Sequence, residues 1–264
     1  MTNIVVSHAP SGLMRASVLR RELVTPHMVR VTFGGDDLER FEHRGFDQWF
    51  RLAIPVHDHD RFDRLPDRYD LAGYLRYLTI ARGARPVIRN YTVRAFRSDP
   101  AELDVDFVVH GTAGVAAPWA MAAEPGTEAA LIDQGCGWRP VPADWLLLVA
   151  DESGLPAVAG ILRDLPRDAC GHAIVELFDA RDRQELDAPP GVTVHWMERA
   201  PGADPGSSAL PALRRLDFPD GEVYAFAVGE SAVATGARRH LVSERQVPKA
   251  SVTFCSYWKR GAAR

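Results

Sequence analysis

The pattern of apolar residues changes near Trp145, and this change constrains the possible folds more than any other feature of the sequence. Residues 146–150 form a continuous apolar run, and residues 151–157 then turn into a helical pattern. Such a run is typical of a strand that is buried on both faces of a parallel sheet. The alternation continues along the chain and predicts an open parallel sheet with helices on both faces. The predicted strands are 172–178, 192–197, 223–228 and 251–255, and the predicted helices are 155–164, 208–216 and 232–245.

The residues before this point have the pattern of short antiparallel strands. Residues 16–33 have strand character that is interrupted at Thr25 and Pro26, which indicates a hairpin. We expect these strands to close as a small antiparallel barrel, so the chain is predicted to form two domains. The further strands predicted in this half are 47–55, 103–109 and 127–133, with a short helix at 71–80.

Composition excludes several classes of protein. The 264 residues are 46% hydrophobic and carry a net charge of -4, which gives no general attraction to nucleic acid. Cys136, Cys170 and Cys255 are odd in number and widely spaced, so neither a disulfide framework nor an iron-sulfur or zinc site is indicated. The N-terminus lacks a basic start followed by an apolar core, and no apolar run approaches the roughly 20 residues that span a bilayer. We therefore expect a soluble protein of the reducing cytosol.

One short segment has the residue types that bind a flat ligand bearing phosphates. It consists of Arg89, Asn90, Tyr91, Thr92, Val93 and Arg94. A guanidinium group binds a diphosphate bidentately, a phenol ring covers an aromatic ring system, and a threonine hydroxyl bonds to a ring nitrogen. These properties suit a flavin nucleotide, although an ordinary strand with two solvated arginines has the same composition.

The order Arg-x-Tyr-Thr-Val-Arg resembles the flavin-binding signature of the ferredoxin reductase-like superfamily, and it is most similar to that of the siderophore-interacting branch. A later turn of small residues is similar to the His-Gly-x-x-Gly-Pro-Ala-x-x-Trp-Ala segment of the same family. The matching residues are His110, Gly111, Gly114, Ala116, Trp119 and Ala120, with Val115 in place of proline. Backbone N–H groups at the start of such a helix bind a diphosphate.

Three further segments carry the same resemblance. The pair Asp47 and Gln48, followed by a strand with Arg51, resembles the part of the family in which a cation faces the iron-ligand pocket. Residues 150–157 resemble the family's Gly-Asp-Glu-Thr-Ala-Leu-Pro-Ala turn, and residues 257–261 resemble its Tyr-Trp-Arg-x-Gly ending. Residues 134–140 depart from the family's Gly-Pro-Arg-Gly turn, and we expect Cys136 there to be a packed thiol.

The resemblance implies a β plus α/β fold of the ferredoxin reductase-like type. Residues 1–140 would form a six-stranded antiparallel β-barrel that binds FAD. Residues 141–264 would form an open parallel α/β sheet that binds NADPH or NADH, with a C-terminal segment that returns to the flavin. The implied activity is FAD-dependent reduction of a ferric siderophore by NAD(P)H, which releases Fe(II) in the cytoplasm.

Two alternatives remain at this point. The chain could be a general flavin or electron-transfer reductase whose acceptor is a protein such as ferredoxin, or a siderophore-binding module without turnover. In each case we expect a monomer with no nucleic acid partner and no membrane insertion.

The resemblance also assigns residue roles. Arg89 would bind the flavin diphosphate, and Tyr91 and Thr92 would contact the isoalloxazine ring as the candidate catalytic residues. The other residues assigned to cofactor binding are Asn90, Val93, Arg94, Asp106, His110, Gly111, Gly114, Val115, Ala116, Ala117, Trp119, Asp151, Glu152, Ser153, Gly229, Glu230 and Trp258. The residues assigned to the siderophore are Arg51, Lys259 and Arg260.

Two sequence features have competing interpretations. Residues 57–60, His-Asp-His-Asp, suggest a metal site, but adjacent residues of an extended chain point in opposite directions, which favours a solvated loop. No metal site is therefore expected. Arg181 and Arg183 suit a 2'-phosphate, but they lie among Asp179 and Asp182, so the choice between NADH and NADPH stays open.

Overall fold

The computed structural model describes residues 1–6, 11–55, 62–109 and 114–262. The chain divides into two compact units. The N-terminal unit is Val6–Cys136, and the C-terminal unit combines Gly137–Arg264 with Met1–Val5. The first residues join the C-terminal unit through backbone hydrogen bonds, such as the one from Asn3 N to Phe254 O (3.2 Å). None of the described helices is long and apolar enough to cross a membrane.

The N-terminal unit contains an antiparallel sheet of seven strands in the order β4-β3-β7-β1-β2-β6-β5. The strands are β1 (Leu13–Thr25), β2 (Met28–Gly34), β3 (Trp49–Ile54), β4 (Val87–Thr92), β5 (Ala95–Ser98), β6 (Ala101–Val108) and β7 (Glu128–Gly135). The predicted hairpin is confirmed as β1 and β2, which pair antiparallel. The described residues of this unit form seven strands rather than the expected six, because the segment that contains residues 89–94 is divided between β4 and β5.

The connection between β4 and β5 shows that this sheet curls. These strands stand at opposite edges of the sheet, yet only Val93 and Arg94 separate them. Six strand spacings in a flat sheet amount to about 29 Å, whereas three peptide steps reach about 10 Å. Val93 N donates to Gln48 O (2.8 Å) beside β3, and Arg94 N donates to Asp104 O (2.9 Å) on β6. The sheet is therefore rolled so that its two edges approach each other.

The core of this unit lies on the inner face of the rolled sheet. Along β6, Leu103, Val105 and Phe107 are buried in the core, as the two-residue period of a strand requires. Two helices complete the described part of the unit, α1 (Leu71–Thr79) and α2 (Ala116–Ala122). The prediction of a short helix at residues 71–80 is confirmed by α1.

The C-terminal unit contains a parallel sheet of five strands in the order β10-β9-β8-β11-β12. The strands are β8 (Trp145–Ala150), β9 (Cys170–Leu177), β10 (Gly191–Glu198), β11 (Val223–Glu230) and β12 (Val252–Trp258), and the helices are α3 (Leu155–Asp164), α4 (Ala209–Arg215) and α5 (Ser231–Arg239). The strand order reverses between β8 and β11. In open sheets of this type, ligands bind outside the carboxyl ends of the strands at such a reversal.

Candidate functional site

The predicted flavin-binding segment forms β4, at one edge of the rolled sheet. Arg89 is opposite Leu52 on β3, and Tyr91 is opposite Phe50. Because side chains alternate along a strand, Arg89 and Tyr91 share the face that contains the core residues of β3, whereas Thr92 lies on the other face. The structure thus brings Arg89 and Tyr91 together and separates the buried Thr92 side chain from them.

An aromatic series joins Tyr91 to α2. The Tyr91 ring lies 4.3 Å from the Phe107 ring, and Phe107 lies 5.7 Å from Trp119 on α2. Trp119 also stacks on Phe33 at 6.2 Å. Burial raises the pKa of the Tyr91 phenol well above its usual range, so the group stays protonated and able to donate a hydrogen bond. Trp119 therefore fixes α2 against the sheet beside the Tyr91 ring.

Gly114 leads into α2 with a backbone conformation that favours glycine. Its φ is +92°, and a Cβ at this position would meet nothing within 4 Å, so the requirement is conformational rather than steric. The helix then starts with Ala116 and Ala117, whose N–H groups have no partner within the helix. Small side chains and available N–H groups fit a flavin diphosphate at this turn. His110 and Gly111 lie outside the described residues.

Two of the predicted cofactor residues contact each other. The Asp106 carboxylate is buried and lies 3.3 Å from Arg94 Nε. Arg30 on β2 donates to both oxygens of the same carboxylate, at 2.7 and 2.9 Å. Asp106 therefore holds Arg94 in place, and its position on the outer face of β6 explains the pairing. Sequence reasoning missed Arg30, although its place on a predicted strand was a usable signal.

Arg51 on β3 has partners inside the N-terminal unit. Its Nε donates to Gln134 Oε1 (3.2 Å), and its guanidinium carbon lies 4.0 Å from the centroid of the Tyr69 ring. Burial lowers the pKa of Arg51, and burial raises the pKa of Tyr69 to about 12. The cation is therefore positioned by an aromatic ring that sequence reasoning did not select. Tyr69 belongs to a tyrosine cluster with Tyr74 and Tyr77, and this local repetition of tyrosine was the available signal.

In the C-terminal unit, Asp151 connects three segments at the carboxyl ends of the strands. It accepts hydrogen bonds from Ser153 Oγ (2.5 Å), Glu230 N (2.6 Å) and Trp258 Nε1 (3.1 Å). Gly229 has a φ of +123°, and a Cβ there would lie 2.5 Å from Asp151 Oδ1. Four of the predicted cofactor residues of this unit, Asp151, Ser153, Glu230 and Trp258, thus form one hydrogen-bonded group that fixes the two turns.

The C-terminal segment is attached to the same group. Glu230 accepts a hydrogen bond from Arg260 N (3.0 Å), and the Arg260 guanidinium lies 2.6 Å from Asp204 Oδ1. Lys259 is exposed. Of the two predicted C-terminal cations, Arg260 is therefore engaged in an exposed ion pair, and Lys259 points to solvent.

A buried cation, Arg199, bridges two carboxylates at this edge. It lies 3.0 Å from Glu152 Oε1 and 2.7 Å from Glu176 Oε1. Burial raises the pKa of Glu152 to about 7, with a further increase from Asp151. Hydrogen bonds lower the pKa of Glu176 despite its desolvation. The sequence analysis did not select Arg199 or Glu176. Glu176 is a charged residue within the apolar strand 173–177, and this position indicates a buried carboxylate that needs a partner.

All three described helices that begin at this edge carry a carboxylate at their N-terminus. Asp151 accepts from Gly154 N before α3 (3.3 Å), Glu176 accepts from Ala209 N of α4 (2.9 Å), and Glu230 accepts from Ala232 N of α5. A diphosphate would meet negative charge at each of these places. The phosphates of a nucleotide would therefore require side-chain cations outside these turns. Arg181 after β9 is such a cation, although Asp179 pairs with it at 2.6 Å.

No group of three or more His, Cys, Asp or Glu side chains within the described ranges is arranged to hold a metal ion. His57, Asp58, His59 and Asp60 lie outside those ranges. Cys136 packs against the backbone, with its Sγ 3.5 Å from Gly45 O.

A rolled antiparallel sheet with a flavin-type edge strand, together with an open parallel sheet, defines the ferredoxin reductase-like class. Residues 17–137 match the model of the siderophore-interacting FAD-binding domain, and residues 143–261 match that of the siderophore-interacting protein. The chain belongs to the siderophore-interacting protein family.

Named relatives and solved structures agree with this assignment. The ferric vibriobactin reductase ViuB of Vibrio cholerae is 30% identical over 92% of this chain and 88% of the relative. The NADPH-dependent ferric-chelate reductase of Escherichia coli is 29% identical over 92% of this chain and 91% of the relative. The crystal structure of a siderophore utilization protein from T. fusca is 34% identical, with a TM-score of 0.82 over 98% of this chain and 97% of that chain.

Proposed function

We propose that this chain reduces ferric siderophores in an FAD-dependent, NAD(P)H-driven reaction and thereby releases Fe(II) in the cytoplasm. The observation that carries the proposal is the shared face of Arg89 and Tyr91 on β4, which the Phe107 and Trp119 rings join to α2. The names of the Vibrio cholerae and Escherichia coli relatives support the reaction class. FAD, when bound, supplies the exchange between the electron pair of NAD(P)H and the single electrons that iron accepts.

The N-terminal unit binds and orients the flavin in this proposal. Arg89 binds the diphosphate, and the backbone from Gly114 to Ala117 supports the phosphates at the start of α2. Tyr91 covers the isoalloxazine ring. Thr92 faces the other side of the sheet but is the last residue of β4, so in this proposal the ring extends past the end of the strand and brings its N5 and O4 edge to Thr92. Asp106 holds Arg94 beside this strand.

The same proposal gives the remaining cations a role with the substrate. Arg51 in the N-terminal unit, and Lys259 and Arg260 in the C-terminal unit, attract the anionic ferric chelate. Fe(II) is softer and less charged than Fe(III), so hard oxygen donors hold it less tightly after reduction. Electron transfer itself needs no acid or base from the protein.

A spectroscopic cycle tests the proposed reaction. Protein purified with FAD should be yellow, should lose its colour anaerobically with NADPH or NADH, and should regain it when a ferric siderophore is added. A chelator specific for Fe(II) should capture iron in proportion to the colour regained. Bleaching without recovery on any ferric siderophore would contradict the proposal, and recovery only with a protein acceptor would favour an electron-transfer reductase.

Removal of Arg89 should release the flavin. We expect Arg89→Ala to weaken FAD binding by about 100-fold, because a bidentate charged contact with a diphosphate contributes roughly 1.5–3 kcal/mol. Fluorescence titration of apoprotein with FAD measures this change. Arg21→Ala, at an exposed position on β1, is the matched control and should bind FAD like the unaltered chain. Equal FAD affinity in the two variants would reject the role of Arg89.

The siderophore cations should affect substrate affinity and leave flavin content unchanged. We expect Arg51→Ala and Lys259→Ala each to raise KM for a ferric siderophore by about five- to tenfold, since each removes one favourable charge from the substrate site. Steady-state kinetics with a ferric siderophore measures this change. Lys249→Ala removes an exposed lysine elsewhere and serves as the control. An unchanged KM in the double variant would exclude both residues from the substrate site.

A further inference from the structure

Arg51 is a partly buried cation that no carboxylate of the described residues neutralises. Other partly buried arginines of the N-terminal unit bind acids: Arg30 lies 2.7 Å from Asp106, and Arg97 lies 2.8 Å from Asp104. Arg51 has no such partner in the described part of the chain, and burial lowers its pKa. An arginine nevertheless stays charged, and a desolvated charge without a counterion is costly. Arg51 is therefore suited to receive an anion.

Two neutral groups hold this cation in place. Gln134 Oε1 accepts a hydrogen bond from Arg51 Nε (3.2 Å), and the centroid of the Tyr69 ring lies 4.0 Å from the guanidinium carbon. At this distance the negative face of an aromatic ring attracts a guanidinium group. Burial raises the pKa of Tyr69 to about 12, so its phenol is neutral near pH 7. Neither partner supplies negative charge, and the charge of Arg51 remains available to a ligand.

The start of α1 fixes the Tyr69 ring. Asp70 caps this helix, and its Oδ1 accepts a hydrogen bond from Gly73 N (2.8 Å). Tyr69 precedes the cap, and Tyr74 is the fourth residue of the helix, which are the two positions of a hydrophobic staple. Their rings lie 6.0 Å apart, and the Tyr69 ring lies 5.7 Å from that of Tyr77. The cap and these ring contacts therefore determine where the Tyr69 ring lies.

A cation that is fixed without being neutralised suits a negatively charged ligand. We propose that Tyr69 is a positioning residue for the substrate: its ring holds the Arg51 guanidinium in the orientation that receives an anionic ferric chelate. This role rests on the proposed function, which assigns Arg51 to the substrate. Because Tyr69 acts through the charge of Arg51, its contribution favours anionic chelates over neutral ones.

Steady-state kinetics with two ferric chelates tests this role. Ferric dicitrate is anionic, whereas ferrichrome, a trihydroxamate complex, is neutral. We expect Tyr69→Leu to raise KM for ferric dicitrate about three- to fivefold, because loss of the cation–π contact lets Arg51 leave its orientation. Tyr69→Phe keeps the ring and should stay within about twofold of the unaltered chain. KM for ferrichrome should change by less than about twofold in both variants, with kcat and FAD affinity unchanged.

A double-mutant cycle separates this role from a structural one. In the Arg51→Ala background, Tyr69→Leu should raise KM for ferric dicitrate no further, because the group that it positions is absent. A further increase would mean that Tyr69 acts without Arg51 and would overturn the proposal. A thermal unfolding curve verifies that each variant is folded. Loss of FAD affinity in Tyr69→Leu, or equal KM values for Tyr69→Phe and Tyr69→Leu, would also overturn it.

The possible outcomes distinguish this role from the proposed function. If Arg51→Ala raises KM for ferric dicitrate while Tyr69→Leu leaves it unchanged, the role of Tyr69 is rejected and the proposed function stands. Reduction of ferrichrome alone would contradict the preference for an anion. If the unaltered chain loaded with FAD reduces neither chelate, the proposed function fails, and the role of Tyr69 fails with it.

Discussion

Arg199→Met is expected to lower the free energy of unfolding of the C-terminal unit by about 3–5 kcal/mol, because it leaves two buried carboxylates without their shared cation. Arg199 is 5% exposed and contacts Glu152 and Glu176, at the ends of neighbouring strands. Methionine has a similar length, so packing is largely kept while the charge is lost. Urea unfolding followed by tryptophan fluorescence measures the change, and amide exchange in β8 and β9 assigns it to this unit.

An exposed ion pair in the same unit is the control. Arg181 lies 2.6 Å from Asp179, but its side chain is 73% exposed, so Arg181→Met should lower the unfolding free energy far less than Arg199→Met does. Both variants lose an ion pair, but only Arg199→Met leaves buried charges. The difference between their unfolding free energies therefore measures the effect of burial. Equal losses in the two variants would mean that Arg199 is not the counterion of a desolvated carboxylate pair.

Apolar periodicity was sufficient to predict most of the C-terminal unit. The helix predicted at residues 155–164 is confirmed, and the run at 146–150 forms β8, because each has a pattern that depends only on nearby residues. The helix predicted at 232–245 is α-helical only to Arg239 and continues as a π-helical turn over His240–Glu244. The spacing of apolar residues cannot distinguish an α-helical turn from a π-helical turn, because the two differ in which carbonyl group accepts each backbone hydrogen bond.

The number of strands in the N-terminal unit depended on contacts that are distant in sequence. Tyr91, Val93 and Phe96 all favour an extended backbone, so the sequence indicated one strand there. The backbone N–H of Val93 instead bonds to Gln48 beside β3, and that of Arg94 bonds to Asp104 on β6, near the opposite edge of the sheet. This change of partner ends β4 and starts β5, and no local propensity encodes it.

The candidate site shows the same limit for side chains. The motif correctly placed Arg89 and Tyr91 on an extended strand, but it did not indicate that Thr92 faces the other side. In the C-terminal unit, Glu230 N donates a hydrogen bond to the Asp151 carboxylate and so joins the two turns. A sequence motif identifies the residues that belong to the site. The direction of each side chain and its hydrogen-bond partners follow from the tertiary structure.

The pH dependence of stability should reveal the buried acid Glu152. Its pKa in the folded state is about 7, compared with 4.5 in the unfolded chain, because burial and the neighbouring Asp151 disfavour its charged form. The folded state therefore holds more protons than the unfolded state between these pH values, and stability falls as pH rises through this interval. A shift of this size corresponds to about 3 kcal/mol. Arg199 reduces the shift without cancelling it.

Glu152→Gln should remove this dependence, because glutamine is neutral at every pH and still offers an oxygen to Arg199. We expect the variant to match the unaltered chain near pH 4.5 and to exceed its unfolding free energy by about 3 kcal/mol near pH 8. Glu198→Gln, at the exposed end of β10, makes the same substitution without burial and serves as the control. Urea unfolding at a series of pH values measures both. If the difference for Glu152→Gln were constant across this range, the carboxyl group would be ionised in the folded protein, and Arg199 would fully compensate its burial.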